Sequence, residues 1–483
     1  MAHTLKFSYG GSPYDLNSGS IILRSYVPQS PNLSTIDTNT ILRDGGRRTL
    51  SSRRNVTESC TILVKSTSGC ASVLETTKKT LQMWLRSAEK YNETGNSSPV
   101  YVQYAPDGLS ASVYRSELLG GKVEISDDSL DTRWTKNRAV ELNLTWTRKY
   151  YWEGDEITIP LFNSGCTSTC ATVINQNPLD YTGQSGCWNN WVQIAASNVI
   201  GEIETPATIE IHSQNSGSVS RPEYRIFHGA NENITSLPTT IEAESGVVWG
   251  ATGSTFSSAC YSSGSYRGQL MVESSNWGRF GYYALPSGSL EKWAGEYYAV
   301  MGVFEEDPPE QSFFGAIKLL DVSRVISISE GPTTEFNTTK HIQSFGSLRI
   351  PPNVIKADDY IEEQRMEVRI KNYSTAASLF IDAFYILPTD GYRHITQEGH
   401  TACTNDYIID NGENDTVLFV DGDNNKKLTI MTWRGNPISL IPNKNQRLYL
   451  LHEEGIAVTT QAGCDPHRKH GIKVKYRPRR LTI

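Results

Sequence analysis

No stretch of this sequence stays apolar for the roughly 20 residues that a helix needs to cross a bilayer, so no membrane-spanning helix is expected. The opening Met1-Ala2-His3-Thr4-Leu5-Lys6 lacks the basic and then apolar run of a secretory signal, and synthesis and folding in a cytosol are expected. Cysteine is sparse: eight in 483 residues, with no Cys-x-x-Cys, which excludes a disulfide-dense scaffold. Reduced thiols are the default reading. Cys166, Cys170 and Cys187 share one Gly/Ser/Thr-rich segment and could pair or hold a metal, but no histidine lies near them. The two signs of charge nearly balance, 45 Lys and Arg against 52 Asp and Glu, and a net charge of -7 on this length gives no global reason to hold nucleic acid. Enzyme signatures are missing: there is no Gly-x-Ser-x-Gly, no phosphate-loop Gly-x-x-x-x-Gly-Lys and no His-Glu-x-x-His. Asp358-Asp359 and Glu362-Glu363 read as solvated loop carboxylates rather than a glycosidase pair, and no catalysis is expected. Asn-x-Ser/Thr triplets are frequent, but one of them, Asn143, sits inside a strand pattern, and without a signal peptide they are discounted.

What is present is mostly β. From Val140 to Lys149, Val140, Leu142, Leu144 and Trp146 alternate with Glu141, Asn143, Thr145 and Thr147, the period of a half-buried strand. This strand is expected to be central in an antiparallel N-terminal sheet. Thr57 to Ser66 alternates in the same way. Between Cys70 and Tyr91, Val73, Leu74, Thr77, Leu81, Trp84, Leu85 and Ala88 recur at helical spacing with Lys78, Lys79, Arg86 and Glu89 opposite, which predicts one long helix ended near Gly95. Further strands are expected at Val100 to Tyr104, at Ala111 to Leu118 and, after a break at Gly120-Gly121, at Lys122 to Ser126. The first 50 residues are short polar segments with a strand-like piece at Ser20 to Val27 and turn formers at Gly10 to Pro13 and Asp44 to Arg48; with so little apolar periodicity they read as a surface loop or as an arm lying on a neighbouring subunit. From Ile241 to Pro388 short strands with turn signals between them predict a separate β-sandwich, and the tail from Asp406 to Tyr476 is β again. At this length two to four domains are expected.

Three stretches carry a family resemblance: Thr57 to Ser66 with the helix behind it, Val113-Tyr114-Arg115-Ser116-Glu117, and Asn137 to Gly154. Together they resemble the ring-forming domain of the distal tail proteins of long-tailed phages, where the tail tube meets the tail tip. Tyr407 to Asp410, Leu418 to Leu428, Leu440 to Leu448 and Val474 to Arg479 are similar to the closing strands of that family's second domain. The family's Pro-Gly-x-Asn turn is Pro442-Asn443-Lys444-Asn445 here, a mild departure because asparagine tolerates positive φ second only to glycine. The middle stretch resembles calcium-dependent carbohydrate-binding jelly rolls in three places: Glu242-Ala243-Glu244 at its start, the Gly/Ser-rich Ser257 to Gly264, and Ile381-Asp382 in its last strand. The resemblance implies a mainly β fold class in three parts. Residues 1–160 would be a ring-forming antiparallel sheet domain with one helix, like a tail-tube domain; 161–240 with 391–483 a discontinuous, galectin-like β-sandwich; 241–390 an inserted jelly roll.

It also implies a homo-oligomeric ring of six copies, contacts with the tail tube and tail-tip proteins, and a place at the tail tip of a virion assembled in the host cytoplasm. Host surface glycans are the expected ligand of the jelly roll; no membrane and no sequence-specific nucleic acid are expected as partners. Glu242, Glu244 and Asp382 come from its first and last strands and supply the hard oxygen donors that a structural calcium takes, although solvent-facing acids give the same pattern. Tyr266, Asn276 and Trp277 are the candidate sugar contacts, with Trp293 nearby, because an aromatic face stacks on the CH patches of a sugar ring; core packing is the commoner fate of such residues. Cys464 to His470 reads as a basic loop rather than a zinc site. Lys473, Lys475, Arg477, Arg479 and Arg480 read either as the lining of a channel for DNA or as charges that cap an edge strand. The competing function class is a secreted or surface-displayed carbohydrate-binding adhesin.

Overall fold

The alternation from Val140 to Thr147 becomes a strand, Ala139–Arg148, paired on both sides along its length. The structure, a computed structural model, describes residues 4–39, 46–65, 72–95, 98–106, 113–126, 139–161, 171–175, 191–213, 219–220, 222–230, 239–246, 253–257, 265–271, 276–285, 297–304, 312–320, 327–337, 342–349, 365–373, 376–397, 401–402, 406–422, 426–428, 431–454 and 468–483. Cys70, Cys166, Cys170, Cys187, Cys260, Cys403 and Cys464, the 358–363 acidic pairs and Trp293 lie outside the described residues. The chain divides into two units: Met1–Ile157 with Gly201–Glu204 and Arg477–Ile483, and Thr158–Ile200 with Thr205–Tyr476. No described helix is long and apolar enough to cross a membrane.

In the first unit the strands are β1 (Thr4–Tyr9), β2 (Ser12–Asp15), β3 (Ile21–Ser25), β4 (Leu33–Asn39), β5 (Gly46–Arg53), β6 (Val56–Lys65), β7 (Val100–Ala105), β8 (Tyr114–Ile125), β9 (Ala139–Arg148) and β10 (Trp152–Glu153), with one helix, α1 (Ser72–Thr94). They form an antiparallel sheet in the order β2-β1-β7-β8-β9-β6-β3, with β10 paired to β8 and to Arg479–Arg480. The strand-like piece at Ser20 to Val27 contains β3, and the loop-or-arm expectation is corrected for the first 25 residues. β1 and β3 are members of this sheet, and Leu5, Phe7, Leu16 and Ile21 are buried in its core. Their apolar positions are too few for a periodic pattern; strand pairing with β7 and β6 supplies the burial.

The helix buries Leu74, Thr77, Leu81, Trp84, Leu85 and Ala88, the predicted stripe, chiefly against β8. It ends because Gly95 adopts φ +66° and returns its N–H to Tyr91 O at 2.8 Å, a left-handed cap that glycine makes without strain. Gly120-Gly121 is not a break: β8 runs through it with a register shift. A Cβ on Gly121 would stand 2.3 Å from Thr145 O, so the pair lets two backbones approach and bends the strand. Glu89 and Gln82 of the helix then accept from the Gly121 and Val123 N–H groups.

The alternation of β9 continues one residue beyond its apolar members. Arg148 falls on the same face as Trp146 and is fully buried, as is the Glu58 side chain that it meets at 2.8 Å. Glu58 also accepts from Tyr26 Oη at 2.9 Å and from Gln29 N–H at 2.8 Å. Arg148 donates to Gln29 O and Lys149 O, both at 2.8 Å, and stacks 4.2 Å over Trp152. A second buried acid, Glu153, is held by Arg115 at 3.3 Å and Arg479 at 3.0 Å.

In the second unit an eight-stranded and a five-stranded antiparallel sheet are built from residues on both sides of a long middle segment. Thr205–Ser213 pairs with Arg468–Tyr476 and Tyr407–Asn411; Pro222–Gly229 pairs with Gln446–Glu454 and Gly391–Gln397. The sheets meet through Arg393, whose guanidinium grips Asp410 and reaches Asp415 at 2.7 Å, and through Tyr224 against His470. Asn443 takes φ +59° in the turn that the sequence marked. Within the β tail, Lys426–Leu428 and Met431–Gly435 belong to different sheets.

The edge-strand reading of the basic tail is corrected for Lys473 and Lys475. Arg468–Tyr476 is an interior strand rather than an edge, and Lys473 and Lys475 both face Glu210. Hydrogen bonding from His212 and Lys475 holds the Glu210 carboxyl at about 2. Arg479 is taken by Glu153 and Arg477 donates to Gly154 O.

Between these flanks, Thr239–Glu242 to Ala377–Pro388 forms a six-stranded sheet facing a five-stranded one, with Phe280, Phe313, Ile317, Val368, Phe345, Ile381 and Phe384 in the core between them.

Removing one member of the Arg148–Glu58 pair leaves a buried charge uncompensated, which costs about 3–5 kcal/mol. Urea unfolding followed by Trp fluorescence is expected to show that loss for R148A, and a much smaller one for R148M combined with E58L. A double variant no more stable than the single would show that the two charges are not coupled.

Candidate functional site

The sequence placed metal and sugar contacts on the middle sandwich, and its two sheets sort them. Thr239–Glu242 is antiparallel to Ala377–Pro388 with Glu242 opposite Ala383, so the backbone brings Glu242 within one position of Asp382. The expected Glu-Ala-Glu strand stops there: Ala243, Glu244 and Ser245 form a 3-10 turn. Tyr283 Oη donates to Ala243 O at 3.1 Å and Arg267 to Gly246 O at 3.1 Å, which fixes the turn from beneath. Burial pushes the Tyr283 phenol up, with the Glu244 charge adding to it, so Tyr283 stays a neutral donor. The carboxylates of Glu242, Glu244 and Asp382 are hard oxygens of the right type for calcium. Among the described side chains no three His, Cys, Asp or Glu residues form a metal-holding group; the side chains of Glu242 and Asp382 lie outside that description.

Tyr266 stands opposite Phe256 in the six-stranded sheet, and its side chain is outside the described set. Asn276 and Trp277 lead into Gly278–Ala284, an edge strand of the five-stranded sheet. The sugar candidates are therefore divided between the two sheets, with Asn276 exposed and Trp277 half-buried.

Trp277 has company that the sequence reading missed. Gly278–Ala284 pairs with Arg365–Asn372, where Met366, Val368 and Ile370 are buried and Arg365, Glu367, Arg369 and Lys371 alternate with them on the outward face. Arg279 lies opposite Arg369 in this register. Its Nε donates to Glu367 Oε1 at 2.9 Å, and its side chain is 55% exposed against 5% for Glu367. Arg369 lies 5.8 Å from the Trp277 ring and 3.9 Å from Glu367 Oε2. Arg279 leans over Tyr282 at 5.4 Å. Farther along, Lys371 sits 4.3 Å over Tyr373, which is 54% exposed and packs edge-on to Phe314. The signal for this face was present in Arg365-Met-Glu-Val-Arg-Ile-Lys371, whose charged residues keep strand period.

No protein-family model matches the sequence. No curated protein matches it either. Among solved structures it is similar to the Dit protein (gp 19.1) of phage SPP1, described as a paradigm of the hub adsorption apparatus in phages infecting Gram-positive bacteria. That match spans 98% of each chain at 9% identity with a TM-score of 0.30. A chain of the phage p2 baseplate in its activated conformation with Sr is similar over 79% of this chain and 98% of its own, at 10% identity and a TM-score of 0.22. The exo-beta-1,3-galactanase of Phanerochaete chrysosporium, solved with galactose, is similar over 61% of this chain and 79% of its own, at 10% identity and a TM-score of 0.19.

Proposed function

We propose that the protein is a structural subunit of a phage tail tip or baseplate, in which copies of the first unit join head to tail into a ring of six between the tail tube and the tip proteins. The observation that carries this reading is the β4–β5 ribbon, which pairs with no third strand among the described residues. A lone two-stranded hairpin is marginal in water and needs a surface to lie on. Its root is firmly held. Asn32 O accepts from Arg54 N–H at 3.3 Å, and Gln29 just before it is bonded through both its N–H and its carbonyl to the buried Glu58–Arg148 pair.

In a closed ring each neighbour supplies the missing surface, because a head-to-tail contact repeated with the right rotation uses every such patch once. The sequence resemblance over Thr57 to Tyr91 and Asn137 to Gly154 supports the same reading. The 241–390 segment is the inserted peripheral module in this account, holding host glycans weakly but several at once, so that avidity supplies the grip. Calcium held by Glu242, Glu244 and Asp382 would be structural there.

Native mass spectrometry is expected to give one assembly of six 53.8 kDa chains. Replacing residues 33–53 with a short Gly/Ser link between Asn32 and Arg54 is expected to yield monomers whose first unit melts close to the parent temperature. A parent chain that stays monomeric at high concentration overturns the ring. For the ion, EDTA is expected to lower the melting temperature of the intact protein; an unchanged midpoint removes calcium from the account.

A further inference from the structure

We infer that the outward face of the five-stranded sheet, around Trp277, Arg279 and Arg369, binds acidic polysaccharide through the carboxylates of its sugar units. This deepens the reading of the middle module as a glycan holder and rests on it. The face carries more cation than its own carboxylates use. Arg279, Arg369 and Lys371 share it with Glu367 alone among the carboxylates of these two strands. Glu367 is almost fully covered, and Arg279 above it is more than half exposed.

The Arg369 Nε is buried and has no hydrogen-bond partner among the described residues; the nearest acid oxygen is 3.9 Å away. That nitrogen is closed to solvent, but the Arg369 side chain is 24% exposed and makes no closer ion pair among the described residues, so beside the exposed Arg279 guanidinium it suits a second planar carboxylate. Glu367 already demonstrates the geometry, bonding Arg279 at 2.9 Å.

The aromatic side chains select a sugar as the bearer of that carboxylate. Trp277 stands beside Arg369 and Tyr373 beside Lys371, so each cation has a ring next to it on which the CH face of a pyranose can lie. Outward residues of one strand recur about every 6.6 Å, which lays Arg369, Lys371 and Tyr373 out as a straight track. A linear polymer with charge repeated along it fits such a track. A nucleic acid is the other linear polyanion such a face could take, and the test below separates the two.

The test is titration calorimetry of the full chain with oligomers of galacturonate and mannuronate, their methyl esters, and an oligodeoxynucleotide of equal charge. The acids are expected to bind, with the esters about tenfold weaker, the size of one lost charge-assisted contact. R369Q and R279Q are each expected to weaken the acids about tenfold without changing the esters. W277A is expected to weaken acid and ester alike. R279Q also removes the ion-pair partner of the covered Glu367, so K371Q, which breaks no ion pair among the described residues, is the variant expected to weaken the acids at the native melting temperature, and its result stands even if the arginine variants unfold the module. Equal binding of acid and ester overturns the acidic preference and leaves the glycan module intact. Tighter binding of the oligonucleotide assigns the face to nucleic acid and overturns the proposal. If neither acid nor ester binds, the glycan reading of the module falls with it.

Discussion

The first unit depends on a charge that the sheet has to keep out of water. Arg148 ends the longest apolar alternation in the chain, yet it lies in the same row as Leu142, Leu144 and Trp146 and is buried with Glu58. A buried ion pair is weak evidence for stability, since desolvation offsets much of the attraction. Its importance here is geometric. The two side chains together satisfy both backbone groups of Gln29, and Glu58 takes the Tyr26 hydroxyl as well. The strand that carries the core thereby fixes the path of the chain between β3 and the β4–β5 ribbon. Burial and the Glu58 charge push the Tyr26 phenol up, so it remains a donor to that carboxylate.

Similar anchors recur where the chain changes direction. Glu153 collects Arg115 and Arg479, which ties Arg479–Arg480 to β10. In the second unit Arg393 joins its two sheets through Asp410, and Gln446 bonds His228 together with the backbone of Ile441 and Lys444 around the Asn443 turn. Burial holds His228 well below its ordinary range, so that network works with a neutral imidazole. Among the described residues the core of the middle sandwich is aromatic and aliphatic, with Arg267 covered against Phe280 at its margin and Glu367 covered beside Arg279 on the outward face.

How much could be read beforehand depended on whether a residue's neighbours were near in sequence. The helix stripe from Leu74 to Ala88 and the alternation from Val140 to Trp146 are local periodicities, and both came through with the expected faces buried. Asn443 was legible because a turn is a four-residue event. The strand-like Ser20 to Val27 came through as β3, but the burial of Leu5, Phe7 and Ile21 was missed because strands from elsewhere in the chain cover them, to which local periodicity is blind. Gly120-Gly121 looked like a break, since nothing nearby tells that Trp146 backbone lies against it. At the candidate sugar site Trp277 was found by residue type alone. Its partners Arg279 and Arg369 escaped because they converge only through the pairing of two strands distant in sequence.

The sequence by itself determined the mainly β class, the single long helix among the described residues, the central strand and the turns, since each follows from side-chain spacing and from the φ/ψ tolerance of individual residues. Only the tertiary structure decided which charges are interior, which strands flank which, and where the cations and aromatic rings of the middle sandwich gather. Those are properties of register and of sheet facing, and they depend on free energies shared between segments that local sequence does not connect.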